Sequence, residues 1–221
     1  PRVASSEQPA GERSPRSTYP WLQGEGWVGA TLKGQFASPP GFERVAVEAG
    51  SFGAFLRELP LRPPGSLVLS FRGETILSGD DPRLAAVVEL DVGDADLQQC
   101  ADTVIRLHAE WSYAAQRSPI VYRAGDGTPF DFERYLGGER VQQRGARLER
   151  TRAARPVARS HEALKRFLTG VFSWVNTGAL ARYSRAVPIG EVQPGDFFVM
   201  SGSPFGHAVL VLDVARAPDG E

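Results

Sequence analysis

An α+β domain, with a mostly antiparallel sheet packed against two main helices, is the fold class this sequence predicts, on three observations. Two stretches, 94–116 and 160–176, carry helical patterning long enough to stand as helices. Short β-rich runs punctuated by Gly and Pro lie before and after them, and sequence neighbours among these runs read as hairpins. No internal repeat is visible, and 221 residues of which 42% are hydrophobic can bury one sizeable core or two small ones.

The elements follow in chain order. Residues 1–18 hold no aromatic residue and only Val3 among the large aliphatics, so they cannot offset their ordering entropy and read as a disordered tether. The single globular domain starts near Tyr19 and runs to Glu221. "SFGAFLREL" (51–59) predicts a short helix capped by Ser51 and stopped by Pro60. "SLVLSFRGETILSG" (66–79) predicts a hairpin turning near Arg72-Gly73, and "AAVVELDV" (85–92) a further strand. The helix over 94–116 takes Asp96 as its N-cap with Gln99 as capping-box partner, and an apolar face of Leu97, Ala101, Val104, His108 and Trp111. The helix over 160–176 is capped by Ser160 and buries Leu164, Phe167, Leu168, Val171, Phe172 and Val175. "GDFFVMSG" (195–202) and "HAVLVLDVA" (207–215) then pair as a hairpin, with Val209 to Leu212 read as a strand covered on both faces. Beyond it, Pro218-Asp219-Gly220 is a turn signal with no strand after it, which predicts that a C-terminal strand is missing.

Composition narrows the function classes. Lys and Arg number 25 against 26 Asp and Glu, so the global charge points neither to nucleic acid nor to an anionic membrane. No apolar run approaches the roughly 20 residues that span a bilayer. The segment 134–159 is the exception, with eight arginines against Glu139 and Glu149. It lacks interleaved aromatics beyond Tyr135, so it reads as a solvated loop, with RNA association as the weaker alternative. With one cysteine, Cys100, no intramolecular disulfide and no multi-cysteine metal site can form. No His, Cys or carboxylate groups show ligand spacing, and nothing in the chain calls for a cofactor.

Two residues could carry chemistry together. Cys100 falls in or just beyond the first turn of the long helix, where the dipole and free N–H groups favour thiolate. His207 opens a core strand. Brought together, they form a thiol–imidazole pair able to attack a carbonyl, with amides near the helix start receiving the oxyanion. Gln98 and Gln99 are further oxyanion or substrate-binding candidates. The plainer reading is a packed cysteine and a turn histidine. His108 and His161 look ordinary, the first on a helix face and the second after a cap.

"YPWL", "SFGAFLRELPLRPPGS", "DVGDADLQQCADTVIRLHAEW" and "GDFFVMSGSPFGHAVLVLDVA" together resemble the bacterial family catalogued as domain of unknown function 4846, over Tyr19 to Glu221. That resemblance implies an exported or lipid-anchored protein, which suits the tether, with a further C-terminal strand. More distantly, a helix-borne Cys followed by a "GD…H" hairpin is similar to the papain-like fold of NlpC-type cell-wall peptidases. The implied activity is a thiol hydrolase acting on an amide bond in peptide or cell-wall material. Its third, imidazole-orienting group is not evident. Asp213 lies six residues along the strand from His207, roughly 20 Å away, and Asp196 lies beside Asp213 at the same far end. The competing expectation is a non-catalytic exported domain that binds or scaffolds.

Overall fold

The computed structural model describes residues 19–22, 29–152, 155–202 and 206–218; the expected tether lies outside them. Among the described residues the helices are α1 (Leu32–Gln35), α2 (Phe52–Arg57), α3 (Cys100–Ala114), α4 (Phe132–Leu136), α5 (His161–Phe172) and α6 (Thr177–Tyr183). The strands are β1 (Glu43–Arg44), β2 (Val68–Leu69), β3 (Thr75–Leu77), β4 (Val121–Arg123), β5 (Pro129–Asp131), β6 (Glu139–Arg144), β7 (Arg147–Arg152), β8 (Phe197–Met200), β9 (His207–Leu210) and β10 (Ala215–Arg216). The α+β class is therefore observed. The strands, however, join as five antiparallel pairs, β1–β10, β2–β3, β4–β5, β6–β7 and β8–β9, in place of one sheet.

The long helix α3 organises the domain because it touches three hydrophobic clusters at once. Ile105 and Ala109 enter the largest, built with Ile120, Phe130, Phe132 and the Leu164, Phe167, Leu168 and Val171 stripe of α5. Leu107 enters a second with Tyr19, Trp21, Phe55, Leu56 and Leu59. Ala101 and Val104 pack on Ala208 of β9 in the third. A helix wrapped on so many sides does not show the single apolar stripe expected for 94–116. Asp102, Arg106, Glu110 and Ser112 are buried on it, whereas His108, placed on the apolar face by the sequence, is open to solvent.

Helix starts follow local capping. Ser51 and Ser160 accept the N–H groups of Ala54 and Ala163, as expected from their sequence. In contrast, α3 starts later than Asp96: Gln99 is the N-cap, and its backbone N–H donates to Asp102 Oδ2 at 3.1 Å. α6, capped by Asn176, is a separate helix after α5 that the periodicity did not announce. It is seven residues long, and of these only Ala179 is buried, too little for an apolar stripe.

Three strand expectations change. The 66–79 hairpin forms around Gly73 at φ 79°. Residues 85–92, however, make only an isolated bridge, Val88 to Leu61, with bonds from Arg62 N–H to Val87 O and from Glu89 N–H to Pro60 O. Their partner segment contains Pro60, Pro63 and Pro64, which have no N–H to extend a ladder. The arginine-rich segment is the β6–β7 ribbon, not a loop. Val141 and Leu148 of the ribbon rest on the main core, Arg140 lies half-buried over the Tyr135 ring, and Arg144, Arg147, Arg150 and Arg152 are exposed. Finally, the strand expected to be covered on both faces is covered on one. Ala208 faces α3, while Val209 is 50% exposed.

Candidate functional site

The β8–β9 hairpin has two faces set by the two-residue strand period. Phe197, Val199, Ala208 and Leu210 pack toward α3. Phe198, Met200, His207 and Val209 occupy the other face, where Met200 is 65% exposed. Cys100 is the first residue of α3 and is half-buried. The helix carrying Cys100 thus packs on the strand carrying His207, but the His207 side chain belongs to the strand face turned away from that helix. Among the described residues no hydrogen bond joins the Cys100 sulfur to the His207 ring.

The neighbouring candidates are placed as follows. Gln98 Oε1 accepts from Arg106 Nη1 at 3.1 Å, so its carbonyl is engaged by a polar cluster. Gln99 is exposed at the cap, its carbonyl accepting from Thr103 Oγ1 at 2.7 Å. Asp213 is held by Arg44 Nε at 2.5 Å and Arg57 Nε at 2.7 Å. Burial pushes its carboxyl up, but those two guanidinium hydrogen bonds outweigh the push and hold it below the usual carboxylate range. Asp196 accepts the Gln193 N–H at 2.8 Å. Among the described residues neither aspartate is hydrogen-bonded to an imidazole.

The cluster that receives Gln98 is ionic and buried. Glu110, fully buried, accepts from Arg106 Nε at 2.7 Å, and its two oxygens lie 2.8 and 2.9 Å from His161 Nε2. Arg106 also reaches Asp91 at 3.3 Å, and Lys165 closes on Asp91 at 2.8 Å. His161 is therefore a buried-carboxylate partner as well as a post-cap residue.

A third arrangement was not legible in the sequence. A cleft of about 650 Å³ opens between α3, β4, α6 and the start of β8, within the range of sites for small molecules. Val104, Val121, Leu180 and Phe197 supply apolar walls, and His108 and Tyr122 supply polar ones. The His108 ring is open to solvent yet hemmed by Phe52 at 5.5 Å, Trp111 at 5.5 Å and Tyr122 at 6.0 Å between centroids. Accessible on one side and crowded on the others is the condition of a residue in a cleft wall. That crowding, with the charge of Arg117 adding to it, lowers the pKa of His108, so the ring stays neutral at neutral pH. Its Nδ1 lies 2.9 Å from the Tyr122 hydroxyl, which is also 3.3 Å from the Ile105 carbonyl. Burial, with Glu110 adding to it, pushes the Tyr122 phenol up, so it remains protonated. Among the described residues His108 Nε2 has no hydrogen-bond partner. The only trace of this site in the sequence is a histidine interrupting an apolar helix stripe, and Tyr122 lies 14 residues further on with no spacing rule to connect them.

No group of three or more His, Cys, Asp or Glu residues suited to a metal ion occurs among the described residues, and no helix there is long and apolar enough to cross a membrane. Compared with known proteins, the chain matches no curated protein and no solved structure. One family model covers residues 32–221, and the chain accordingly belongs to the family described as domain of unknown function (4846).

Proposed function

We propose that this domain is a binding module whose ligand occupies the His108 cleft. The observation that carries the reading is an accessible, neutral imidazole with one nitrogen free, set in an apolar cleft of ligand size. The non-catalytic expectation is favoured over the hydrolase because the polar groups converge at His108, not at the sulfur. The test uses Nile red, an uncharged dye that brightens in apolar sites. One dye binds per chain, saturably, and Ser184→Trp, which places an indole on the exposed rim, abolishes binding while leaving the circular dichroism unchanged. Dye binding indifferent to that substitution sinks the reading.

A second reading has one observation in its favour: α3, with Cys100 at its first position, packs directly on β9. On it, the domain is a papain-like thiol hydrolase cutting amide bonds in peptide or cell-wall material, with Cys100 as nucleophile, His207 as base and Gln98 or Gln99 near the oxyanion. This requires the His207 ring to swing across the strand edge to reach the sulfur. The two readings part in the pH profile of Cys100 alkylation by iodoacetamide. The binding reading expects the profile to be the same in wild type and His207→Ala. A thiolate that forms well below the usual thiol value of about 8.5, and only when His207 is present, establishes the hydrolase instead. The composition of residues 1–18 supports an exported or envelope-anchored setting for either reading.

A further inference from the structure

We infer that the His108 cleft takes an apolar molecule bearing a single carboxylate, its body among Val104, Val121, Leu180 and Phe197 and its carboxylate toward His108 Nε2 and Arg123. The inference rests on the binding reading and adds the chemical class of the ligand.

The charge around the cleft is one-sided. Among the residues lining it Arg123 is the one formal charge, and no carboxylate is present. Arg123 is exposed, and its Nη1 donates to the Gly127 carbonyl at 3.1 Å, which fixes the guanidinium and leaves its other N–H groups for a ligand. A second guanidinium, Arg117, is stacked over the Trp111 ring at 4.3 Å, close enough for its charge to act on His108. Glu110, whose charge acts on Tyr122 from behind the wall, is already matched by Arg106 and His161. Asp196, between the lining residues Gly195 and Phe197, is occupied by the Gln193 N–H. A cationic ligand thus meets the Arg123 guanidinium and the field of Arg117 with no counter-charge in the lining, whereas an anion meets Arg123 as a partner and is favoured by that same field.

The imidazole contributes a donor in the tautomer that carries its proton on Nε2. The Tyr122 phenol has one proton and two acceptors within reach, and the nearer is His108 Nδ1. The Ile105 carbonyl lies further off and also stands as acceptor for the helical N–H of Ala109. When the phenol donates to Nδ1, the neutral ring carries its own proton on Nε2. That N–H has no protein acceptor among the described residues, and a carboxylate oxygen satisfies it. The remaining walls are hydrocarbon and aromatic rings, which favour an apolar body of ring or chain type.

The test compares two molecules of one shape, naphthalene-2-carboxylate and naphthalene-2-carboxamide, by isothermal titration calorimetry on the full chain. The carboxylate is expected to bind about tenfold tighter at low ionic strength, and its advantage shrinks with added salt. Arg123→Gln, an exposed substitution, brings the two affinities together, and Arg123→Glu reverses their order. Equal binding of acid and amide by the wild type, or tighter binding of the amide, overturns the carboxylate assignment and leaves the binding module standing. Failure of both to bind, together with failure of Nile red, overturns both.

Discussion

Asp102 sits in the first turn of α3 with its carboxyl pushed up to about 6 by burial, which outweighs the N–H bonds it accepts from Gln99 and from its own backbone. Its folded pKa lies above the ordinary aspartate value of about 3.9, so the protonated form favours folding. The stabilisation is complete below about pH 4 and is lost as pH rises to 6. At roughly 1.4 kcal/mol per pKa unit, the ionised residue costs about 3 kcal/mol above that window. Asp102→Asn keeps an acceptor for the Gln99 N–H and removes the charge, so its urea midpoint should exceed wild type at pH 7.5 and match it at pH 4. A midpoint below wild type at pH 7.5 refutes the sign. At this scale the sequence was readable wherever one side chain settled the matter, as Ser51 and Ser160 did with their single caps. It misled at α3, where residue type favours Asp96 as the N-cap, whereas the helix starts after Gln99, whose N–H is taken by Asp102 Oδ2.

Helix α3 and the segments around it show what an element read alone conceals. Its sequence alternates apolar and ionic residues, and amphipathicity assigns the ionic ones to water. Here α5 and the 91–98 segment cover that side, and the Arg106–Glu110–His161 and Asp91–Lys165 contacts supply the pairing that burial demands. Glu110→Gln should therefore cost about 3–5 kcal/mol in chemical denaturation, because it leaves the 3%-exposed Arg106 guanidinium short of its carboxylate. A loss below about 1 kcal/mol would mean that Asp91 alone neutralises Arg106. The same covering explains the missed cleft: His108 looked like one more member of a packed stripe, and it was the position of β4 and α6 that left it facing open space. The α5 stripe, by contrast, was legible because all its contacts lie on one side.

Across the whole molecule, the α+β class, the two main helices and the hairpins β2–β3 and β8–β9 could be read in advance, while β4–β5, β6–β7 and the long-range pair β1–β10 could not. The pair β1–β10 is the extreme case. Glu43 and Arg44 meet Arg216 and Ala215, and Asp213 accepts from both Arg44 and Arg57. Arg44 also reaches the Phe36 carbonyl, so one aspartate ties together the α1–β1 and α2 segments. Read as a timetable, this clamp delays the N-terminal third of the domain. Residues 29–61 can gather their own apolar side chains as soon as they are made, yet two of their guanidinium groups wait without a carboxylate until synthesis has passed position 213. The early segments of a chain growing on the ribosome thus hold a latch whose keeper is made at least 156 residues later.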